Sequence, residues 1–316
     1  MSKDSMICAG IDTGKYKLDV ALAGSSGQLM VDNTPEGHTA LSHWLREQRV
    51  KRVGIEASGG YERAVVTFLR GAGFVVVMLQ PAQVRAYARL QLQRAKNDKL
   101  DAALIAASTA ATQRLHAAPD PRLSSLADAL TLIEQLTEDV ARLKTRRESV
   151  HGDPRIAKLW SVEIARIKAL LRAELAALSA AIRRHPDLAA RLDLIHSVAG
   201  VGLKTALAIL LRMPEIGRAS REEVAAPAGL APYDQDSGEH QGDRHIEGGR
   251  ARLRKALYAA ALPAAFRWNS DLGAFYRRLL GKGKAHKAAL IACARKLLVQ
   301  VNAVVTRGTP WTPHPI

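Results

Sequence analysis

Aromatic residues are scarce in this chain: Phe, Trp and Tyr make up 4% of 316 residues. Cysteine is scarcer still, at 2 residues. Cys8 and Cys293 both sit in apolar stretches far apart, with no Cys-x-x-Cys spacing. That excludes a disulfide framework and a zinc ribbon, and predicts two buried thiols in a reducing compartment. No uninterrupted apolar run reaches the length of a membrane span, so none is expected. The N-terminus carries no apolar core of the signal-peptide kind, so no secretion signal is expected either. Acidic residues are outnumbered: Lys+Arg total 46 against 30 Asp+Glu, a net charge of +16, with a pI near 10.2. Such an excess concerns partners rather than fold, and nucleic acid is the leading candidate. The plainer reading is a generally basic protein from an organism that favours Arg and Ala. From Gly238 to Ile316 there are 14 Lys/Arg and 4 Asp/Glu, so +10 of the +16 lies in the last quarter. Strong charge with few rings suits gripping a phosphate backbone better than stacking on bases.

Against this basic background, four carboxylates occur in three short patches. They are Asp12 in Gly10-Ile11-Asp12, Glu56 in Gly54-Ile55-Glu56, and the pair Asp98 and Asp101 in Lys96-Asn97-Asp98-Lys99-Leu100-Asp101-Ala102. The first two patches end apolar stretches. Residues 6–12, 18–23 and 29–33 read as strands separated by polar turns. Residues 39–48 form a short helix, 52–56 a strand, and Gly59-Gly60 opens a helix to about residue 70. Residues 73–79 are a nearly continuous apolar strand of the buried parallel kind. The order predicts a mixed sheet with helices on it, an α/β domain over 1–118.

After Leu123 the period changes. Leu126, Leu130, Ile133, Leu136, Val140 and Leu143 step by three or four, and Gly152-Asp153-Pro154 interrupts the stripe. It resumes through Ile156, Leu159, Ile167, Leu171, Leu175, Leu178 and Ile182, ending before Pro186. Two long amphipathic helices are expected over 119–187, as a helical spacer or a dimerisation coiled coil. The stripe is too irregular for strict heptads.

The third region, 188–316, should be mainly helical. In Val198-Ala199-Gly200-Val201-Gly202-Leu203-Lys204-Thr205, the Gly-x-Gly lacks the third glycine and the flanking strand of a dinucleotide fold. A helix-hairpin-helix fits better, with backbone N–H groups of Gly200 and Gly202 open to a phosphate and Lys204 and Thr205 beside them. Further on, Arg250, Arg252, Arg254 and Lys255 load the start of a helix with cations. Lys282, Lys284 and Lys287 sit in a Gly-Lys loop that lacks the spacing of a nucleotide-binding P-loop. All are candidates for touching nucleic acid, though such loops are also often merely solvated.

Acids at strand ends are poorly placed for a core but well placed to share a hard divalent cation. Neighbouring strands can bring Asp12 and Glu56 together, and acids three apart share one helix face. Asp98 and Asp101 alone could simply charge a helix N-terminus. Metal-assisted phosphodiester chemistry would need all four. Ser237, in a polar Gly-rich loop, has no convincing local base to activate it, although His240 and His245 are near in sequence.

Jointly, these motifs resemble the DEDD transposases of the insertion-sequence one-ten family. The match runs through Gly-Ile-Asp, Gly-Ile-Glu-Ala-Ser-Gly-Gly-Tyr-Glu and Lys-Asn-Asp-Lys-Leu-Asp-Ala. It continues in Val-Ala-Gly-Val-Gly-Leu-Lys-Thr-Ala, Gly-Leu-Ala-Pro, Ser-Gly and Leu-Arg-Lys-Ala-Leu, in order over almost the whole chain. The resemblance implies a RuvC-like N-terminal domain of the RNase H fold, with Asp12, Glu56, Asp98 and Asp101 binding Mg²⁺. It implies a dimerisation spacer and a C-terminal transposase domain with Ser237 as nucleophile. It further implies a bacterial, cytoplasmic, nucleoid-associated recombinase guided by a bridge RNA that pairs with donor and target DNA. Such a protein would act as a tetramer built from dimers, one subunit's acids serving another's serine. The missing activator of Ser237 would then be a metal. Two other readings remain: a RuvC-like junction-resolving nuclease that uses activated water, and a non-catalytic nucleic-acid scaffold. Tyr233 is a rival nucleophile four residues before Ser237.

Overall fold

A computed structural model describes residues 7–57, 59–92, 98–112, 120–233 and 245–312, with residues 98–100 and 124 described by their backbone alone. The chain divides into two compact units, Met1–Ala118 and Pro119–Ile316.

The first unit is a five-stranded mixed sheet. Strands β1 (Cys8–Thr13), β2 (Lys17–Leu22) and β3 (Gln28–Asp32) form an antiparallel meander, and β4 (Arg52–Glu56) and β5 (Val75–Leu79) add in parallel, giving the order β3-β2-β1-β4-β5. Between them run α1 (Pro35–Glu47) and α2 (Arg63–Gly71); α3 (Pro81–Leu90) and α4 (Asp98–Ala111) follow. Helix α1 begins four residues earlier than its apolar period suggests. Pro35 occupies the first turn, where its missing N–H costs nothing, and Thr34 accepts from Gly37 N at 3.2 Å as the cap.

The period of two sorts the strand side chains onto two faces. Ala9, Ile11, Val53 and Ile55 pack with Leu41, Leu45, Val65 and Leu69 of α1 and α2. The alternate positions face α4. There the helix comes so close that a Cβ on Gly10 would meet the backbone of Ala102 and Ala106, and one on Gly54 would meet Thr109. Glycine is required at both positions by backbone approach, since neither has a positive φ. We therefore expect Gly10→Val to destabilise the protein by about 3 kcal/mol or more, because α4 must lift off the sheet. Urea denaturation checks this, and an unshifted midpoint would mean that α4 does not pack here.

The second unit is helical. Helices α5 (Arg122–Glu148) and α6 (Pro154–Arg183) form a hairpin, with Val140 and Leu143 meeting Ile164 and Ile167, and Leu130 and Ile133 sharing a core with Leu178 and Ile182. Most of the predicted stripe is thus covered within one chain, but Ile156 and Leu159 stay exposed. There follow α7 (Pro186–Ser197), α8 (Leu203–Arg212), a one-turn 3₁₀ helix (Glu223–Ala225) and a ribbon of β6 (Pro232–Tyr233) and β7 (His245–Ile246). Then come α9 (Ala251–Pro263), a single π turn (Ala264–Trp268), α10 (Ser270–Gly281) and α11 (His286–Arg307). Helix α11 is long and apolar enough to cross a membrane by composition, yet Leu290, Leu297, Leu298, Val301 and Val304 fill the core of this unit. Cys8 and Cys293 are both free and buried, and burial raises the Cys293 thiol pKa to about 11.

Candidate active site

Asp12 lies near the end of β1, and Glu56 is the last residue of β4; both are half-buried. The parallel register pairs Cys8 with Arg52 and Ile11 with Ile55; one further step sets Asp12 beside Glu56. Adjacent strands lie about 4.8 Å apart, and in-register residues point to the same face. Asp12 and Glu56 stand two residues beyond Gly10 and Gly54, so they face the α4 side.

The other two acids stand in the first turn of α4, the helix that packs on this face of the sheet. Its C-terminal end is tied to the start of β4, where Arg52 Nη1 donates to Thr112 O at 3.1 Å. Thr109 lies over Gly54, and Ala106 and Ala102 over Gly10. Gly10 and Gly54 are partners in the parallel register, so α4 crosses from β4 to β1 as its numbering falls, and its first turn carries Asp98 and Asp101. Asp101 is half-buried; Asp98 is the first residue of the helix, and its side chain lies outside the described residues. Among the described residues, no three His, Cys, Asp or Glu side chains gather closely enough to hold a metal. By donor type these acids suit a hard divalent cation.

A further acid went unrecognised in the sequence. Antiparallel pairing sets Asp19 of β2 directly opposite Asp12, on the same face. Asp19 is buried, and Lys17 Nζ sits 2.9 Å from its Oδ2. An acid framed by Leu18 and Val20 was the available signal. The turn after Glu56 is held by Glu62, which accepts from Gly60 N at 2.9 Å; Gly59 and Gly60 take φ of 85° and 118°.

Ser237 and His240 lie outside the described residues. The flanking Tyr233 and His245 pair across the β6–β7 ribbon.

The predicted phosphate-binding cations divide into two groups. Arg250 makes a two-pronged pair with Glu215, at 2.6 and 3.0 Å. Arg252 Nη1 lies 2.9 Å from Glu134 Oε2, Lys255 Nζ lies 2.8 Å from Glu138 Oε1, and Arg254 Nη1 donates to Gly248 O at 2.6 Å. Glu134 also pairs with Arg212 at 2.7 Å. Lys204 Nζ donates to Thr137 Oγ1 at 2.6 Å, and burial holds its ammonium pKa below the usual lysine range. These residues tie α8 and α9 to α5 and brace the loops beside α9, while Arg252 and Lys255 stay exposed. Thr205 is half-buried beside them. Gly200, with φ of 95°, serves packing: a Cβ there would meet Ala264. Gly202 is exposed at the start of α8, and Lys282, Lys284 and Lys287 are exposed.

Two family models match the chain. Residues 9–150 match the IS110-type DEDD model described as Transposase, and residues 192–277 match Transposase IS116/IS110/IS902 family. The pilin gene-inverting proteins of Moraxella bovis and Moraxella lacunata are each 26% identical over 325 aligned residues, covering 96% of both chains. An uncharacterised 43.6 kDa protein of insertion element IS110 from Streptomyces coelicolor is 29% identical over 142 residues, which is 44% of this chain and 33% of that protein. The solved RuvC structure from Thermus thermophilus aligns at 20% identity with a TM-score of 0.24, covering 37% of this chain and 86% of RuvC. A score that low supports no structural argument.

Proposed function

The chain belongs to the IS110 family of DEDD transposases and is a DNA transposase or recombinase, and on that premise we propose that it cuts and rejoins DNA through a phosphoserine intermediate on Ser237. The observation that supports this most is the parallel register that sets Asp12 beside Glu56 on the face crossed by α4. The strand order β3-β2-β1-β4-β5, a meander extended by parallel strands, supports reading residues 1–118 as a RuvC-like domain of the RNase H fold. Residues 119–187 are the dimerisation spacer, and 188–316 the transposase domain.

Asp12, Glu56, Asp98 and Asp101 would hold Mg²⁺, which supplies positive charge beside a scissile phosphate. Ser237 Oγ attacks the phosphorus: the Oγ–P bond forms, one DNA P–O bond breaks, and the Oγ proton goes to the departing oxygen. In rejoining, a strand hydroxyl attacks the phosphoserine and restores Ser237 with its proton. One phosphoester replaces another at each step, so no nucleotide triphosphate is consumed. The acids of one subunit serve the serine of another within a tetramer. A bridge RNA pairs with donor and target DNA, so the protein need hold only shape and backbone. The work is done in the bacterial cytoplasm.

Protein, element RNA, Mg²⁺ and element-end DNA should yield a protein–DNA adduct that survives SDS. Strand cleavage without any adduct would favour the alternative, a junction-resolving nuclease that uses activated water.

A further inference from the structure

We propose that the π turn after α9 is a stacking platform for an unpaired stretch of DNA strand. The chain has only 4 Phe and 4 Trp, and two of these stand on this one turn. Phe266 is 57% exposed and Trp268 65%, whereas the other three tryptophans are half-buried. Scarcity across the whole chain conceals this local concentration.

The turn itself is anchored. Asn269 N donates to Ala264 O at 2.9 Å, which closes the wide turn, and π turns often mark functional positions. Ala264 and Ala265 are buried. Asn269, also buried, caps α10 by accepting from Leu272 N at 3.1 Å, and donates to Ala199 O at 3.3 Å and Gln300 Oε1 at 3.2 Å. Gly200 packs against Ala264 with no room for a side chain. A braced backbone therefore holds two large rings in water. Such rings are preorganised for a flat apolar partner, with little ordering left to do on binding.

The surroundings identify the partner as a polyanion. Across residues 262–287 there are six Lys/Arg and one acid, Asp271. Arg267 lies between Phe266 and Trp268 in sequence and is exposed. The Phe266 ring is 5.1 Å from that of Tyr276, whose hydroxyl is 2.6 Å from His286 Nδ1. His286 opens α11 and adjoins the exposed Lys282, Lys284 and Lys287. On the other side, Gly200 joins the turn to exposed Gly202 at the start of α8. Rings flanked by cations are the means by which proteins hold single strands without reading sequence. The inference rests on the proposed strand exchange, which exposes unpaired DNA.

Binding is read without cleavage, so its failure does not touch the serine chemistry, and a dead Ser237→Ala protein leaves the platform testable. The probes are a labelled oligodeoxythymidine of about 12 nucleotides, within the roughly 4–16 nucleotides that such surfaces cover, a duplex of equal length, and an oligouridine. Trp268→Ala should weaken single-strand DNA binding roughly 5- to 150-fold and leave duplex binding within about twofold, since that is held by phosphate contacts. Trp268→Phe should retain binding. The oligodeoxythymidine should quench wild-type tryptophan fluorescence but not that of Trp268→Phe, and this arm decides the matter if the alanine variant fails to fold. Equal losses on duplex and single strand would overturn the proposal, as would no loss or no quenching. A larger effect on oligouridine would assign the surface to RNA instead. Unchanged DNA binding with a changed mass in light scattering would assign it to protein.

Discussion

Ser237→Ala is expected to abolish both the SDS-resistant adduct and strand cleavage. Removing the hydroxyl leaves no atom to form the Oγ–P bond, so the loss is one of chemistry and not of affinity. A nucleophile knockout of this kind commonly lowers the rate by about 10³-fold or more. The junction-resolving reading predicts the opposite, because water would still attack and Ser237→Ala would cleave normally. Tyr233 supplies the internal control. It is 46% exposed on β6, opposite His245, and is the rival nucleophile nearest Ser237 in sequence. Tyr233→Phe should still form the adduct. If the adduct persists in Ser237→Ala and vanishes in Tyr233→Phe, the nucleophile has been misassigned. A thermal melt matching wild type separates lost chemistry from lost fold.

The sheet and most helices were legible because local periods carry them. β5, with Val75-Val76-Val77-Met78-Leu79, was legible as a parallel strand, but at the edge of the sheet it buries only Val77 and Leu79 and leaves Val75 exposed. The α5–α6 hairpin follows from leucines three or four apart with Gly152-Asp153-Pro154 between. The start of α1 was not legible, because Pro35-Glu36-Gly37 looks like a turn until Thr34 is seen to cap it. Asp12, Glu56, Asp98 and Asp101 stood out as acids at element ends. Asp19 did not, because its position opposite Asp12 depends on hairpin register. Pairing gives Arg250, Arg252, Arg254 and Lys255 a structural role that the sequence did not show. A count of charges cannot show that Glu134 and Glu138, four apart on α5, face α9, or that Glu215 meets Arg250. Net charge sums over the chain, whereas these ion pairs join residues 35 to 118 positions apart.

Asp12→Asn and Glu56→Gln should each lower cleavage by about 10³-fold, equivalent to some 4 kcal/mol of lost charge stabilisation. Each substitution keeps size and most hydrogen-bonding capacity, so the β1–β4 register should survive and melting without metal should change little. The second readout is binding itself: added Mg²⁺ or Mn²⁺ should raise the wild-type melting temperature and leave that of Asp12→Asn unmoved. Wild-type cleavage by Asp12→Asn would remove Asp12 from the metal site. The two lesions can then be combined to locate the site in the assembly. If each site joins acids and serine from different subunits, a mixture of Asp12→Asn and Ser237→Ala proteins contains sites with both intact parts. Some cleavage should return in that mixture, although neither variant cleaves alone. A double variant mixed with wild type controls for dilution. No recovery, after subunit exchange is verified by mass, would place the acids and the serine of each site in one chain, and the composite arrangement would have to be abandoned even with the serine chemistry intact.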